Sequence, residues 1–205
     1  MQNQKENLKN VFVKKEDEKI LVIKRDILFN KKSISGLEKV DFDYYQDLIE
    51  KNQEFIWRSV AETDNSYKQV IPYLIFNFQD KYFLMQRKSK ASEVRLQNLY
   101  SLGIGGHIRQ EDITGSDIYS WAKREFLEEV EYSGNLKIKA LGILNDDSNS
   151  VGQVHVGFVF LLTGDSSNIK VKEELKSGEL LTLSECKKYY ENMENWTKLV
   201  FDFLK

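Results

Sequence analysis

The chain has 205 residues, enough for one sizeable core, because a protein of this length buries roughly 70% of the surface of its unfolded chain. Hydrophobic residues make up 41% and charged residues 30%, which excludes a chain that is disordered throughout. Thirty lysines and arginines against 32 aspartates and glutamates give a net charge of −2, so no basic excess points to a nucleic-acid partner. The one cysteine, Cys186, excludes an internal disulfide and a cysteine-based zinc site.

No segment has the composition of a membrane span or a secretory signal. The longest apolar runs, such as 154–162, are too short for a bilayer and are interrupted by His155 and Gly157. The first nine residues are polar and lack an apolar core. We therefore expect a cytoplasmic protein without a membrane partner and without a stable nucleic-acid partner.

The first half of the chain alternates between extended and helical patterns. The apolar run Lys19–Lys24 predicts a strand, and the spacing of apolar residues within 42–60 predicts one or two helices. Two extended runs, 70–78 and 82–86, flank a short polar turn and predict a β-hairpin. Pro72 is typical of a strand opening or an edge, because proline has no N–H to donate.

The second half contains one well-defined helix between strands. Residues 99–104 are extended, a helix is predicted over about 117–132, and strands are predicted over 136–144, 151–162 and 179–183. A helical region ends the chain. Strands on both sides of one helix predict a mixed α+β or α/β sandwich.

The predicted helix carries a stripe of carboxylates. Glu125, Glu128 and Glu129 have i, i+3 and i+4 spacing, which places them on one side of a helix. Phe126 and Val130 place the apolar face beside this stripe instead of opposite to it. The glutamates therefore border the apolar face of the helix.

The charge balance around this helix is strongly negative. Residues 109–131 hold three bases against seven acids. At about 6 Å and an effective dielectric constant near 20, each pair of like charges costs about 3 kcal/mol. A half-buried stripe would need raised carboxyl pKa values or a bound cation, and a hard divalent ion such as Mg²⁺ or Mn²⁺ prefers oxygen ligands. The alternative is a solvated acidic helix face.

A glycine-rich loop precedes the helix. Gly103, Gly105 and Gly106 allow the backbone to approach a ligand closely, and they expose carbonyl and amide groups. Such a loop next to an acidic helix brings backbone oxygens and carboxylates together. The alternative is a simple tight turn.

Together, Gly106 and the run Arg-Glu-Phe-Leu-Glu-Glu-Val at 124–130 resemble the Nudix box, G-x5-E-x7-R-E-U-x-E-E-x-G-U, where U is a bulky apolar residue. The R-E-U-x-E-E core matches fully, and Tyr132 stands at the closing apolar position. Gly106 and Arg124 are eighteen positions apart where the pattern has fourteen, so the loop is four residues longer. Glu131 replaces the late glycine.

The departures also affect one acid of the box. The glutamate expected eight positions before the arginine falls on Ser116, and either Glu111 or Asp112 takes its place as a supplementary acid. Asp147, at the end of a predicted strand, is a further supplementary acid, with a plain turn as the alternative.

The resemblance implies a Nudix-like α/β/α sandwich around a mixed sheet over residues 65–205, with residues 1–64 as an N-terminal extension packed on it. It implies Mg²⁺- or Mn²⁺-dependent hydrolysis of a diphosphate bond in a nucleoside diphosphate linked to another moiety. It also implies that the catalytic residues are Arg124, Glu125, Glu128 and Glu129. The three glutamates would be metal ligands, together with the carbonyl of Gly106.

Arg124 would pair with a glutamate of the box and hold it in place. The base that activates water would be Glu125 or an acid from another loop. Arg87, Arg95 and His107 are candidates for binding substrate phosphates, with solvated charges or a histidine bonded to the loop backbone as the alternatives. His155 is interpreted as a structural histidine.

The sequence supports more than one function. The leading interpretation is a hydrolase that acts on a small nucleotide-type diphosphate. The sequence is also compatible with a homodimer. The alternative is a Nudix-fold module that binds a nucleotide without cleaving it. A plain acidic interaction domain is the third interpretation.

Overall fold

The computed structural model describes residues 17–88, 97–113, 118–172 and 175–205. The strands in these residues are β1 (Lys19–Lys24), β2 (Gly36–Glu38), β3 (Glu54–Trp57), β4 (Tyr67–Phe78), β5 (Lys81–Arg87), β6 (Tyr100–Ser101), β7 (Gly103–Gly105), β8 (Val130–Tyr132), β9 (Leu136–Asn145), β10 (His155–Gly164), β11 (Ile169–Val171) and β12 (Leu175–Thr182). The helices are α1 (Arg25–Leu28), α2 (Phe42–Asn52), α3 (Arg58–Ala61), α4 (Ile118–Glu129), α5 (Ser150–Val154), α6 (Leu183–Cys186) and α7 (Asn195–Leu204), with 3-10 turns at Gln110–Ile113 and Lys187–Asn192.

A mixed sheet forms the centre of the molecule. Its main path runs in the order β12-β5-β4-β10-β9-β2, with β7 and β1 both pairing with β4, β3 with β1 and β6 with β5. β4 and β10 are parallel over nine residue pairs, and the other pairings of the sheet are antiparallel. The predicted hairpin is confirmed, because β4 and β5 pair at Phe78 and Lys81 around a two-residue turn.

Both faces of the sheet are covered, as the side-chain alternation of β4 shows. Leu74 and Phe76 face one hydrophobic cluster that includes Phe126 of α4, whereas Tyr73 faces a cluster that includes Val200 of α7. Residues of a strand alternate between faces, so helices lie on opposite sides of the sheet. The predicted α/β/α sandwich around a mixed sheet is confirmed.

Residues before position 65 contribute strands to this same sheet. β1 pairs with β4 through Val22 and Gln69, and β3 pairs with β1. Ile20, Leu21 and Ile23 of β1 are fully or almost fully buried. In the described residues, no helix is both long enough and apolar enough to cross a bilayer.

Pro72 occupies an interior position, so the prediction of a strand opening or an edge is wrong. β4 runs from Tyr67 to Phe78 with β10 on one side. On its other side, β4 pairs with β1 up to Gln69 and with β7 from Tyr73 onward. Pro72 lies where β4 changes partner, a position at which its missing N–H is tolerated.

The predicted boundaries of two elements are wrong, because pairing partners distant in the chain override the local pattern. The predicted helix over 117–132 ends at Glu129, since Val130–Tyr132 pairs with β11. The predicted strand over 151–162 begins only at His155, after the short helix α5. The prediction of one or two helices within 42–60 is confirmed by α2 and α3, and a strand paired with β1 separates them.

Candidate functional site

The glycine loop and α4 meet at Gly106. β7 pairs with β4 through Gly105 and Tyr73, which carries the loop across the sheet to the helix. A Cβ atom on Gly106 would lie 1.8 Å from Oε1 of Glu125, far inside van der Waals contact. The backbone at residue 106 therefore lies directly against the Glu125 carboxylate, and glycine is required for this approach.

Glu125 has a strongly perturbed acidity. Burial raises the pKa of its carboxyl to about 7, and the charges of Glu128 and Glu129 act in the same direction, while Arg124 and Arg109 oppose them. One pKa unit corresponds to about 1.4 kcal/mol between the two protonation states. Burial and the neighbouring glutamates therefore both disfavour the charged form of Glu125.

Arg124 connects the helix to the loop. It donates a 2.6 Å hydrogen bond from its guanidinium to Oδ1 of Asp112 and lies 3.6 Å from the Glu128 carboxylate. The other oxygen of Asp112 accepts from the Arg109 amide at 2.9 Å, and Trp121 donates to the Asp112 carbonyl at 3.1 Å. Of the two predicted supplementary acids in this loop, Asp112 is thus the one held against Arg124, while Glu111 is exposed.

Glu129 lies at the last position of α4, toward β5. One of its carboxylate oxygens is buried, and its charge acts on the Arg87 guanidinium. Arg87 donates a 2.9 Å hydrogen bond to Glu194, which also accepts from the buried Ser101 hydroxyl. The structure therefore pairs the Arg87 guanidinium with the Glu194 carboxylate, near enough to Glu129 for the charge of Glu129 to act on Arg87.

The donor set fits a hard divalent ion. Three carboxylates of α4 supply oxygen ligands of the kind that Mg²⁺ and Mn²⁺ prefer. In the described residues their oxygens do not all lie within 4.8 Å of one another. The close approach of the Gly106 backbone to the Glu125 carboxylate and the raised pKa of Glu125 both favour a cation at this point. The residues that could hold the ion are Glu125, Glu128, Glu129 and the Gly106 carbonyl.

The two histidines lie together at the start of the two central parallel strands. His155 is paired with Gln69 in the register of β10 and β4, and Gln69 Oε1 lies 2.7 Å from Nε2 of His107. The Nε2 atoms of the two histidines are 3.4 Å apart, and a carboxylate oxygen of Glu62 lies within 4.8 Å of both rings' ligand atoms. Nothing in the local spacing of the sequence indicated this group.

Asp147 lies in a separate charged cluster. It forms ion pairs with Arg25 and with the fully buried Lys68, whose Nζ is 2.8 Å from Oδ1 of Asp147. Burial alone would raise the pKa of Asp147, but hydrogen bonds from Arg25, Lys68 and Asn145 lower it to about 2. Asp147 is therefore a counter-charge for two cations.

Arg95, another predicted phosphate-binding residue, is outside the described residues, as is Ser116.

The raised pKa of Glu125 predicts that the metal-free protein becomes less stable as the pH rises. The native carboxyl holds a proton up to about pH 7, whereas in the unfolded chain it releases that proton near pH 4.5. The stabilising contribution is complete below pH 4.5 and is lost as the pH rises through 7. We expect the free energy of unfolding in EDTA to fall by about 2 kcal/mol between pH 5 and 8, a value discounted for partial exposure.

Urea unfolding at several pH values would measure this effect, with Glu125→Gln as the matched variant. The variant removes the titrating group, so its stability should change much less across the same interval. The opposite-signed contribution of Asp147 is lost only below about pH 4, outside the interval. Parallel pH profiles for the wild type and Glu125→Gln would contradict the assigned acidity.

Comparison with known proteins places this geometry in a family. No protein-family model matches the chain. Protein YmaB of Bacillus subtilis (strain 168) is 35% identical over 207 residues, which cover 93% of this chain and 99% of YmaB. The crystal structure of Tm1382, provisionally assigned to the Nudix hydrolases, has a TM-score of 0.77 and 32% identity over 91% of this chain and 98% of Tm1382.

More distant structures share the fold alone. The NUDIX domain of Shewanella oneidensis NrtR, solved in complex with ADP ribose, has a TM-score of 0.51 at 14% identity, over 67% of this chain and 89% of that domain. Tm1382 is similar along nearly the whole of both chains. The described part of the box follows strand β7 and continues on helix α4, which is the order of elements predicted from the sequence. The chain therefore belongs to the Nudix hydrolase family.

Proposed function

We propose that the protein is a Mg²⁺- or Mn²⁺-dependent hydrolase that cleaves a diphosphate bond in a nucleoside diphosphate linked to another moiety. The observation that carries the proposal is the contact between Gly106 and the half-buried Glu125 carboxylate, whose pKa is raised by burial and by the neighbouring glutamates. An anionic substrate would be repelled by this stripe alone. A bound cation would therefore explain both why the glutamates are close together and how an anionic substrate can bind beside them.

The residues of the box have distinct roles in this proposal. Glu125, Glu128 and Glu129 would hold the ion, with the Gly106 carbonyl as a further ligand. When bound, a divalent ion neutralises diphosphate charge and lowers the pKa of water. Arg124 orients Glu128 and binds Asp112, which fixes the loop to the helix. Asp112 is thereby held against α4, although the usual box glutamate is absent.

A substrate panel tests the proposal directly. The protein would be incubated with Mg²⁺ or Mn²⁺ and nucleoside triphosphates, ADP-ribose, dinucleoside polyphosphates and NADH, and the products would be separated by chromatography. We expect hydrolysis of a phosphoanhydride bond in at least one compound, and complete loss of turnover in EDTA. Tight nucleotide binding without products would overturn the proposal in favour of a binding module.

Gly106→Ala provides a sharper test of the proposed geometry. The new methyl group would displace the Glu125 carboxylate, which lies at the end of a flexible side chain and can rotate away. The cost in stability is therefore expected to be small. Because a misplacement of about 1 Å can cost about 100-fold in rate, we expect kcat/KM to fall about 100-fold with the melting temperature nearly unchanged.

Gly105→Ala is the matched control for that substitution. A Cβ at residue 105 would meet Ile71 and the Pro72 carbonyl at 3.0 Å, in contact with β4 instead of the glutamates. This variant should lose stability and should retain the turnover of its folded fraction. Equal activity in Gly106→Ala and the wild type would show that the Gly106–Glu125 contact has no part in the reaction.

A further inference from the structure

The structure contains a second group of metal-ligating side chains, of different chemistry from the glutamates of α4. In the part of the chain that the structure describes, Glu62, His107 and His155 form the one group of three such residues whose ligand atoms all lie within 4.8 Å of one another. Imidazole nitrogens suit Zn²⁺ and other first-row transition metals, whereas Mg²⁺ prefers oxygen. The two groups therefore call for different ions.

The separation of the two rings matches a shared metal better than a hydrogen bond. The Nε2 atoms of His107 and His155 are 3.4 Å apart, beyond the usual hydrogen-bond range of about 2.7–3.2 Å. In a tetrahedral site with zinc–nitrogen bonds of about 2.0–2.1 Å, two ligand nitrogens lie about 3.3–3.4 Å apart. The rings are thus already at the distance that one ion would require.

The orientation of His155 is set by the backbone. Its Nδ1 lies 2.8 Å from the Val151 carbonyl, which can only accept, so Nδ1 carries the proton and donates it. In the neutral ring, Nε2 then presents its lone pair toward His107. Ligand histidines commonly donate their second nitrogen to a carbonyl in this way, which fixes tautomer and orientation.

Gln69 is the buried polar neighbour of the two histidines. Its side chain is completely buried, its oxygen contacts Nε2 of His107, and among the described residues its Nε2 has no hydrogen-bond partner. A buried amide nitrogen in this state costs about 1–3 kcal/mol, and only an acceptor such as a water oxygen can satisfy its N–H groups. Because the Gln69 oxygen can only accept, His107 Nε2 donates its proton to it in the metal-free protein. A bound ion would replace that proton, so that binding releases it to solvent, with a water molecule at the fourth position.

The three ligands come from separate parts of the fold. Glu62 follows α3, His107 follows β7 and His155 begins β10. Lys68 supports the third ligand, because its Nζ donates to the His155 carbonyl at 3.2 Å. Glu62 is exposed, which provides a route from solvent, and its present ion pair with Arg58 is long, at 3.3 Å.

We propose that Glu62, His107 and His155 form a binding site for Zn²⁺ or a similar transition-metal ion, which ties the N-terminal segment to the strands of the central sheet. The site does not rest on the proposed hydrolysis. A bound ion would stabilise the native state, because the unfolded chain does not hold these three residues together.

Titration of chelator-treated protein with Zn²⁺ tests the site, with millimolar Mg²⁺ present throughout to occupy oxygen ligands. We expect one equivalent of Zn²⁺ to bind and to raise the melting temperature. Co²⁺ in place of Zn²⁺ should give the intense visible absorption of a tetrahedral site with nitrogen ligands. Neither measurement depends on enzymatic activity.

Two variants decide whether these residues are the ligands. His107→Gln and Glu62→Gln should each weaken Zn²⁺ binding by about 10–100-fold or more and should reduce the Co²⁺ absorption. Both positions are at least partly exposed, so both variants are expected to fold, as their circular dichroism would verify. Glu54→Gln is the control, because Glu54 is also a surface glutamate with a basic partner, Lys24 at 3.8 Å.

Glu129→Gln separates this proposal from the hydrolase proposal. It alters the glutamates of α4, so it should leave the Zn²⁺ affinity unchanged. Zn²⁺ binding that is unaffected by His107→Gln and Glu62→Gln, or that is lost in Glu129→Gln, would overturn the inference. An absence of Zn²⁺ binding to the wild type would do the same, whatever the outcome of the substrate panel.

Discussion

Replacing Glu129 with glutamine is expected to lower the rate of diphosphate hydrolysis by about 1000-fold, because a catalytic metal ion supplies several kcal/mol of transition-state stabilisation. The substitution keeps the shape of the side chain and removes one negative charge. Glu129 has a buried carboxylate oxygen at the end of α4, so water cannot readily replace it as a ligand. Single-turnover measurements at saturating Mg²⁺ would separate the loss in rate from the loss in metal affinity.

Glu131→Gln is the matched control for that experiment. Glu131 lies two residues further along the chain, is exposed on β8 and stands where the box normally has glycine. Removing its charge should change the rate less than about twofold, because long-range effects of an exposed charge are screened by salt. Equal losses in Glu129→Gln and Glu131→Gln would indicate a general effect of charge and would contradict a ligand role for Glu129.

The acidic side of α4 could be predicted because the information is local. Glu125, Glu128 and Glu129 are within one helical turn of one another, so their relative placement follows from helix geometry alone. The hairpin of β4 and β5 is local for the same reason, since its two-residue turn brings Phe78 and Lys81 into register. In both cases a few neighbouring residues determine the arrangement.

The limits of α4 could not be predicted from the same information. Val130 continues the apolar periodicity of the helix, yet it pairs with Val171 in a small two-stranded sheet. That partner is forty-one residues away in the chain, and a hydrophobic period does not encode it. The N-terminal limit of the predicted helix at residue 117 is outside the described residues.

The histidine group and the Asp147 cluster depend on pairing between distant strands. The parallel pairing of β4 with β10 places His155 beside Gln69, eighty-six residues earlier in the sequence. Alternation within the strand indicates which face of the sheet His155 occupies, but it contains no information about His107. Distant pairing likewise brings Lys68 to Asp147, seventy-nine residues away. These sites become visible only when the strand order is known.

Lys68 is unusual because a charged side chain is completely buried in the central strand of the sheet. Its ammonium donates to Asp147 at 2.8 Å, to the Gly152 carbonyl at 2.7 Å and to the His155 carbonyl at 3.2 Å. Burial lowers the pKa of Lys68, and the hydrogen bond and charge of Asp147 oppose that change. Three acceptors satisfy the three protons of the ammonium group, so the charge is tolerated inside the fold.

Replacing Lys68 with methionine should lower the free energy of unfolding by about 3 kcal/mol, because two backbone carbonyls would be left buried without donors. Methionine retains a long unbranched chain, so loss of packing contributes little. Asp147 would keep its ion pair with Arg25, which limits the penalty. Urea unfolding would measure the change as a lower midpoint at an unchanged slope.

Lys24→Met is the matched control for this last prediction. Lys24 lies on the neighbouring strand, is half exposed and pairs with Glu54 at 3.8 Å, so its loss should cost less than about 1 kcal/mol. If both variants lose the same small amount, the ammonium of Lys68 is replaceable by solvent and does not hold the segment before β10. If Lys68→Met alone is destabilised and also loses Zn²⁺ affinity, the buried ammonium positions His155 through its carbonyl, as the 3.2 Å hydrogen bond requires.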